Sequence, residues 1–233
     1  MIKDFDEIVK KYYPEFKDVG YFFKKYLEKY INSDSEILDI GCGRQAFGAE
    51  FYKKAKKRVG VDPDQEALND NKLMDEKYCC DERNIPNSIG QFDVIIAQWV
   101  LEHMENPDKS FEEIERLAKP GGYFIFMTPN IYSPLILFSK ICPIFLKKRF
   151  RGKLGIKEED TYPTCYRANS AAKINQILIR NNFEKVELKK AGVLTYFGFN
   201  KIALLKKIFF DRTVGRLFGD LFKTHLTGVY RKK

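Results

Sequence analysis

The sequence predicts an α/β fold built on a doubly wound, mainly parallel sheet, and three observations lead there. Short apolar or β-branched runs alternate with helical stretches at close spacing through the first 130 residues, and such alternation requires right-handed crossovers between parallel strands. The run Phe92-Asp93-Val94-Ile95-Ile96-Ala97 is almost continuously apolar, as a strand buried on both faces must be. Ile37-Leu38-Asp39-Ile40 stops at Gly41-Cys42-Gly43, a turn whose glycines can take φ > 0 and leave the backbone approachable.

Taken in order, residues 4–13 and 18–31 show helical amphipathic spacing, with Pro14 between them. Phe22, Phe23, Tyr26, Leu27 and Tyr30 form a stripe that reads as core packing over the entrance to the first strand. That strand covers residues 36–40. Helical composition returns over 46–57, so the glycine turn is expected to lead its N–H groups into a helix start, where partial positive charge gathers. Residues 58–61 make a second strand ended by Asp62-Pro63-Asp64, because Pro63 cannot continue the pairing. A helix over 65–73 and a strand over 77–80 follow, with Cys79 and Cys80 expected to pack as small hydrophobes. The fourth strand, 92–97, belongs in the middle of the sheet. Residues 108–118 read as a helix capped by Asp108, with Phe111, Ile114, Leu117 and Ala118 facing inward. Lys119-Pro120-Gly121-Gly122 ends it before a fifth strand over 123–128.

Beyond Pro129 the pattern changes. Residues 131–146 are apolar but interrupted by Pro134, Lys140 and Pro143, too short a run to span a bilayer. Residues 171–181 read as a helix, 184–190 as a strand, 201–223 as basic amphipathic helix and 226–230 as a last strand. Within 201–223, Ile202, Leu205, Ile208 and Phe209 are expected on one apolar stripe, and Val214, Leu217, Phe218 and Leu221 on another.

The chain has 233 residues, of which 44% are hydrophobic, enough for one α/β domain with a sizeable core. Its net charge of +9 is unevenly placed. Residues 1–139 hold 19 Lys and Arg against 25 Asp and Glu, whereas residues 140–233 hold 22 against 7. A basic C-terminal part suits contact with phosphates, anionic lipid or nucleic acid, and equally a solvated lysine-rich face. The five cysteines are odd in number and lack metal-ligand spacing, so no metal site is expected and the setting reads as a reducing cytoplasm. The N-terminus has no signal-peptide core.

Gly41-x-Gly43-x-x-Ala46, with Asp62 nineteen residues on, matches a weak dinucleotide fingerprint and hence an NAD-dependent oxidoreductase. Asp39 argues otherwise: at the end of the first strand it would repel a pyrophosphate and favour an ammonium. Acids also end the second and third strands, at Asp62 and Asp81. That edge suits a ligand with ribose hydroxyls, an exocyclic amine and an ammonium.

With these stretches in view, the chain resembles a class I S-adenosylmethionine-dependent methyltransferase. ILDIGCG, VGVDPD, CCDE, FDVIIAQWVLEHMENP and LAKPGGYFIFMTPN occur in that family's order. The resemblance implies a single Rossmann-like domain over 1–233, with a helical cap at 1–34, a cofactor-binding core at 35–130 and acceptor-side insertions at 131–183 and 191–224. Its seven-stranded sheet would be mostly parallel, with a C-terminal antiparallel hairpin. It further implies S-adenosylmethionine as cofactor, with Asp39 and the Gly41-Cys42-Gly43 turn on the methionine part and Asp62-Pro63 on the ribose. Asp81 and the Glu82 N–H would meet the adenine, and Gln98 would stand near the methionine carboxyl or the methyl. Arg44 to Phe47 depart from the family pattern and receive no role.

His103 follows the fourth strand and is the candidate general base, with a loop-fixing role as the alternative. Tyr162, Tyr166 and Arg167 fall where the family builds its acceptor pocket, although Arg167 equally suits pairing with Glu158, Glu159 or Asp160. YPTCYRAN resembles a motif of methyltransferases associated with bacterial surface glycans. His225 reads as structural. The expected reaction is methylation of a small-molecule, glycan or lipid-linked acceptor, at oxygen by preference. The apolar and basic stretches 131–153 and 201–223 suit peripheral contact with the inner face of a membrane, a lid packed on the domain, or a homodimer interface. An RNA methyltransferase or nucleic-acid-binding protein is the alternative favoured by the basic part. Neither a separate RNA-binding module nor an N-P-P-Y-type motif supports it.

Overall fold

A computed structural model describes residues 1–141 and 163–233. Seven strands form one sheet in the order β3-β2-β1-β4-β5-β7-β6. These are β1 (Glu36–Ile40), β2 (Lys57–Asp62), β3 (Glu76–Cys79), β4 (Phe92–Gln98), β5 (Ala118–Pro129), β6 (Phe183–Ala191) and β7 (His225–Lys232). The first five pair in parallel, while β7 runs antiparallel to both β5 and β6. β4 lies at the centre, as its unbroken apolar run requires. The C-terminal ends of β1, β2, β4 and β5 and the start of β7 share one edge, the edge where open α/β sheets take ligands.

The two faces are covered separately. Leu38, Ile40, Val59, Val61, Ile95, Phe124 and Phe126 pack with helices α5 (Pro107–Leu117) and α7 (Ala171–Arg180). On the other face Ile37, Val94, Ile96 and Ile125 pack with α2 (Val19–Tyr30), α3 (Ala49–Tyr52) and α4 (Gln65–Asp70). Phe23, Tyr26 and Leu27 of the aromatic stripe are buried there, beside the half-buried Phe22 and Tyr30. A third cluster joins α1 (Phe5–Tyr12) to α8 (Lys201–Phe218) through Phe5, Ile8, Leu204 and Ile208. Helix α6 spans Pro134–Ile141.

Four local expectations are corrected. The helix expected over 46–57 is the single turn of α3, because Gly48 enters it at φ 86° and Lys57 already belongs to β2. Asn106, not Asp108, caps α5: its side chain accepts from the Lys109 N–H, and Asp108 instead pairs with Arg180. Cys79 is exposed because β3 is the edge strand. On α8, Ile208 and Leu205 of the expected stripe do pack inward, joined by Leu204 and Asp211, whereas Ile202 and Phe209 are 65% and 70% exposed. The inward face is centred on Leu204, Ile208 and Asp211, so it includes an acid that hydropathy does not mark and leaves Ile202 and Phe209 outside.

Candidate functional site

The glycine turn is fastened from several sides. Gly41 and Cys42 both donate their N–H groups to the Val61 carbonyl, at 2.7 and 3.2 Å. The Gly43 N–H donates to Asp62 Oδ2 at 2.9 Å, and Asn71 Nδ2 donates to the Gly43 carbonyl at 2.8 Å. Gly41 at φ 69° and Gly43 at φ 50° take backbone angles that an L side chain resists, and a Cβ on Gly41 would fall 2.3 Å from Val100 Cγ2. Three consecutive amides are therefore spent within the protein, and the helix that follows is one turn long. A phosphate cradle needs those amides free.

Carboxylates dominate this edge. Asp39 is 1% exposed, and neither of its oxygens makes a well-formed hydrogen bond. Burial pushes its carboxyl up to about 8; the nearby Tyr52 hydroxyl opposes the rise and the charge of Asp62 adds to it. A buried carboxyl in this condition holds its proton near pH 7, and it is a place where an external cation could take the proton's part. Tyr52 is itself fully buried, and its hydroxyl accepts from Gln98 Nε2 at 2.6 Å. Gln98 Oε1 in turn accepts the Phe47 N–H at 3.0 Å, which ties β4 to the loop after the glycine turn.

Asp62, also buried, accepts the Asp64 N–H at 2.9 Å besides that of Gly43. Pro63 lies between these anchored acids, and its carbonyl accepts from the Cys79 thiol at 3.5 Å. Asp81 accepts from the Arg83 N–H at 2.8 Å and from Asn84 Nδ2 at 3.0 Å. Burial would raise the Asp81 carboxyl, but these bonds and the Arg83 guanidinium hold it below the usual range. The Glu82 side chain is turned to α5, where Oε1 accepts from Ser110 Oγ at 2.9 Å.

The described acceptor-side residues meet along one seam. His103 Nδ1 is 2.7 Å from the Pro163 carbonyl, so the ring holds the segment 163–170 against the β4 exit. Arg167 donates from Nη1 to the Glu105 carbonyl and joins the same seam. Tyr166, at φ 52°, gives its N–H to the Glu102 carbonyl at 3.0 Å. Tyr162 lies outside the described residues.

Several groups had no sequence signal of their own. Tyr52 sits in a four-residue helix that periodicity could not resolve. Glu102 was overshadowed by the neighbouring His103, yet it is 5% exposed and bonded to Thr128 Oγ1 at 2.9 Å. Tyr196 reaches the edge from the 3-10 turn Thr195–Phe197. Arg44 and Phe47 now have structural roles. Arg44 pairs with Asp70 and Glu66 of α4, while Phe47 packs against Gly20 of α2 under the Lys24 ammonium.

Known proteins fit this geometry. A family model described as a methyltransferase domain matches residues 15–188. An uncharacterized methyltransferase of Schizosaccharomyces pombe is 32% identical over 127 residues, 48% of this chain and 46% of that protein. A ubiquinone biosynthesis O-methyltransferase of Colwellia psychrerythraea is 31% identical over 106 residues, 42% of this chain and 43% of that protein. The chain thus spans less than half the length of these relatives. Among solved structures, an S-adenosylmethionine-dependent methyltransferase of Mesorhizobium loti superposes with a TM-score of 0.60 at 15% identity, covering 91% of this chain and 97% of its own; at that identity the likeness speaks for the fold. The family match takes in the glycine turn, the acids ending β1 to β3 and the whole β4–β5 edge, and by it the chain belongs to the methyltransferase-domain family.

Proposed function

We propose that this protein is an S-adenosylmethionine-dependent methyltransferase acting on an oxygen of a small-molecule, glycan or lipid-linked acceptor. The observation that carries the reading is the Asp39 carboxyl, buried under the glycine turn with neither oxygen well bonded. The α-ammonium of the donor's methionine part supplies the missing cation. Asp39 and the turn Gly41-Cys42-Gly43 would hold that part, with Gln98 beside it. Asp62 and Pro63 would meet the ribose, and Asp81 with the Glu82 N–H the adenine. Each Asp62 oxygen accepts one backbone N–H and keeps acceptor capacity for a ribose hydroxyl. The donor is consumed as a substrate, and its sulfonium supplies an activated methyl group. The protein's task is then to align the acceptor and exclude water. Membership of the methyltransferase-domain family supports the reading, and relatives named as O-methyltransferases favour oxygen.

The deciding experiment is calorimetric titration of the full chain with S-adenosylmethionine, followed by a release assay for S-adenosylhomocysteine across acceptor pools. Micromolar binding, lost in Asp62→Ala, is expected. Binding of NAD without S-adenosylmethionine binding would overturn the reading.

We also propose peripheral contact with an anionic membrane through α8. Its outer face carries Ile202, Phe209 and Leu217 exposed beside Lys206, and its acid Asp211 is turned inward. No helix among the described residues is long and apolar enough to cross a membrane. Sedimentation with phosphatidylserine vesicles at low salt, lost at high salt, is the expected result, and no sedimentation at low salt counts against it.

A further inference from the structure

Beyond the donor side, the edge holds a second cluster around Glu102. Trp99 follows Gln98 directly, so the cluster begins one residue from the groups around Asp39. Trp99 at φ 58° and Tyr166 at φ 52° are two of the three non-glycine residues with positive φ among those described. Such angles in bulky aromatics cost about 1–3 kcal/mol each and gather at functional sites. The Trp99 ring meets His225 edge-on, with centroids 5.0 Å apart, and Tyr196 lies 6.0 Å from the same imidazole. Glu102 and Tyr166 are near enough for their charges to reinforce the effect of burial in raising the Tyr196 pKa.

Glu102 is held in place rather than neutralised. Its Oε2 accepts from Thr128 Oγ1 at 2.9 Å, and that hydroxyl accepts from Asn169 Nδ2 at 2.6 Å. Its carbonyl accepts the N–H groups of Cys165 and Tyr166, at 2.7 and 3.0 Å. Among the described residues no Lys or Arg forms an ion pair with it. The titratable groups of this cluster are Tyr196 on the 3-10 turn, which Glu102 and Tyr166 both influence, Tyr166 and Cys165 bonded to the Glu102 carbonyl with Arg167 beside them, His225 on β7 beyond Tyr196, and His103 and Glu105 on its own loop. Burial pushes the Glu102 carboxyl up to about 7, and the bond from Thr128 restrains that rise. Burial also pushes His225 down to about 4, so its ring is neutral near pH 7 and offers Glu102 no counter-charge.

Granted the methyl-transfer reading, we propose that Glu102 is the catalytic base for this protein, set among Trp99, Tyr166, Tyr196 and His225 to deprotonate a phenolic hydroxyl on the methyl acceptor. The aromatic side chains suit a flat ring. A base near 7 lies about three units below a phenol of pKa ~10, a workable gap, whereas an aliphatic alcohol lies much further away. In the step, the acceptor O–H proton passes to Glu102 while the oxygen forms its bond to the methyl carbon. The carbon–sulfur bond breaks, and its electron pair stays on sulfur. Glu102 then returns the proton to water. His103 becomes a positioning residue that fixes Pro163 and, through that segment, Tyr166.

The test uses the full chain with catechol as probe. Trp99 is the chain's one tryptophan, so its fluorescence reports on this cluster alone. Catechol should quench it saturably in the presence of S-adenosylhomocysteine. Wild type should release S-adenosylhomocysteine with catechol, with an acid limb in kcat/KM near pH 7. Glu102→Gln should bind S-adenosylmethionine as wild type does, lose 100-fold or more in rate, and lose that limb; His103→Gln should keep it. Should Glu102→Gln fail to fold, Thr128→Val serves instead: removing the bond from Thr128 should move the limb to higher pH. A Glu102→Gln rate within threefold of wild type overturns the proposal, as does an unmoved limb in Thr128→Val. Methylation of a methyl glucoside without turnover of catechol overturns the phenolic class while leaving methyl transfer standing. Absence of S-adenosylmethionine binding by wild type would instead sink the underlying reading.

Discussion

The Cys42 thiol lies against the bare face of Gly60: a Cβ placed on that glycine would fall 2.7 Å from Cys42 Sγ and 2.7 Å from Met74 Cγ. Gly60 pairs in register with Asp39, so the gap in β2 gives the glycine turn room to lay its one side chain beside the buried acid. Filling the gap should force the turn outward. Gly60→Ala is expected to destabilise the fold by about 1–3 kcal/mol, the usual cost of overpacking. Cys42→Ala in the same background should restore part of the loss. Equilibrium urea denaturation of the two single variants and the double variant measures the coupling, and strictly additive losses would show that the two residues do not meet.

The same contact governs thiol chemistry. Burial pushes the Cys42 thiol well above its ordinary range, and the charges of Asp39 and Asp62 push it further. The thiolate is the reactive form, so Cys42 should resist alkylation while the chain is folded. Of the described cysteines Cys79, exposed on the edge strand, should react first. Peptide mapping after brief iodoacetamide treatment at pH 8 should find Cys79 modified and Cys42 protected until denaturant is added. Early modification of Cys42 would contradict its burial.

Two buried carboxyls set the pH dependence of stability. Asp39 rises from 3.8 to about 8 on folding and Glu102 from 4.5 to about 7. For both, the folded state binds the proton more tightly, so the stability contributed is complete below the unfolded pKa and is lost as pH climbs through the folded one. His225 works in the opposite sense. Held down at about 4 against an ordinary 6.5, it adds stability above pH 6.5 that is lost as pH falls toward 4. Between pH 6.5 and 8 only the carboxyls remain in play, so the Tm of the ligand-free chain should fall across that window. Asp39→Asn should flatten the fall. Binding of S-adenosylmethionine at pH 7 should release a proton from Asp39, seen by calorimetry in buffers of different ionisation enthalpy, and that release should vanish in Asp39→Asn.

The sheet was legible in the sequence because its strands are short apolar runs bounded by Gly, Pro and acids. Burial on both faces leaves a hydropathy signal that needs no partner to read. The acids ending β1, β2 and β3 were legible for the same reason, each standing where an apolar run stops. What stayed hidden depends on contacts far apart in sequence. Tyr52 meets Gln98 only because β4 brings that side chain to it, and Glu102 is held by Thr128 of β5, whose hydroxyl Asn169 in turn bonds from the segment before α7. Arg44 and Phe47 matched no motif because each serves the local packing, one on α4 and the other on α2. On α8 only Leu205 and Ile208 of the expected stripe face inward, because that face also includes the charged pair Lys207 and Asp211, which carries no apolar signal.

That pair, Lys207 and Asp211, lies within α8 on its inward face. The side chains are 9% and 3% exposed and bonded to each other one helical turn apart, and Lys207 Nζ also lies 5.8 Å from the Phe197 ring. Lys207 binds Oδ1, and Asp211 Oδ2 has no hydrogen-bond partner among the described residues. Desolvating two charges costs nearly what their attraction returns, so the pair adds little net stability, yet removing one member strands the other in an apolar setting. Lys207→Met or Asp211→Leu alone should therefore destabilise by about 3–5 kcal/mol, and the double variant should cost less than either. Urea denaturation measures this directly. Because Leu204 and Ile208 on the same face pack against Leu194, loosening α8 in a single variant should also free the turn that carries Tyr196. Faster amide exchange across 194–198 in Asp211→Leu, restored in the double variant, is the expected signature; unchanged exchange would place the anchor of that turn elsewhere.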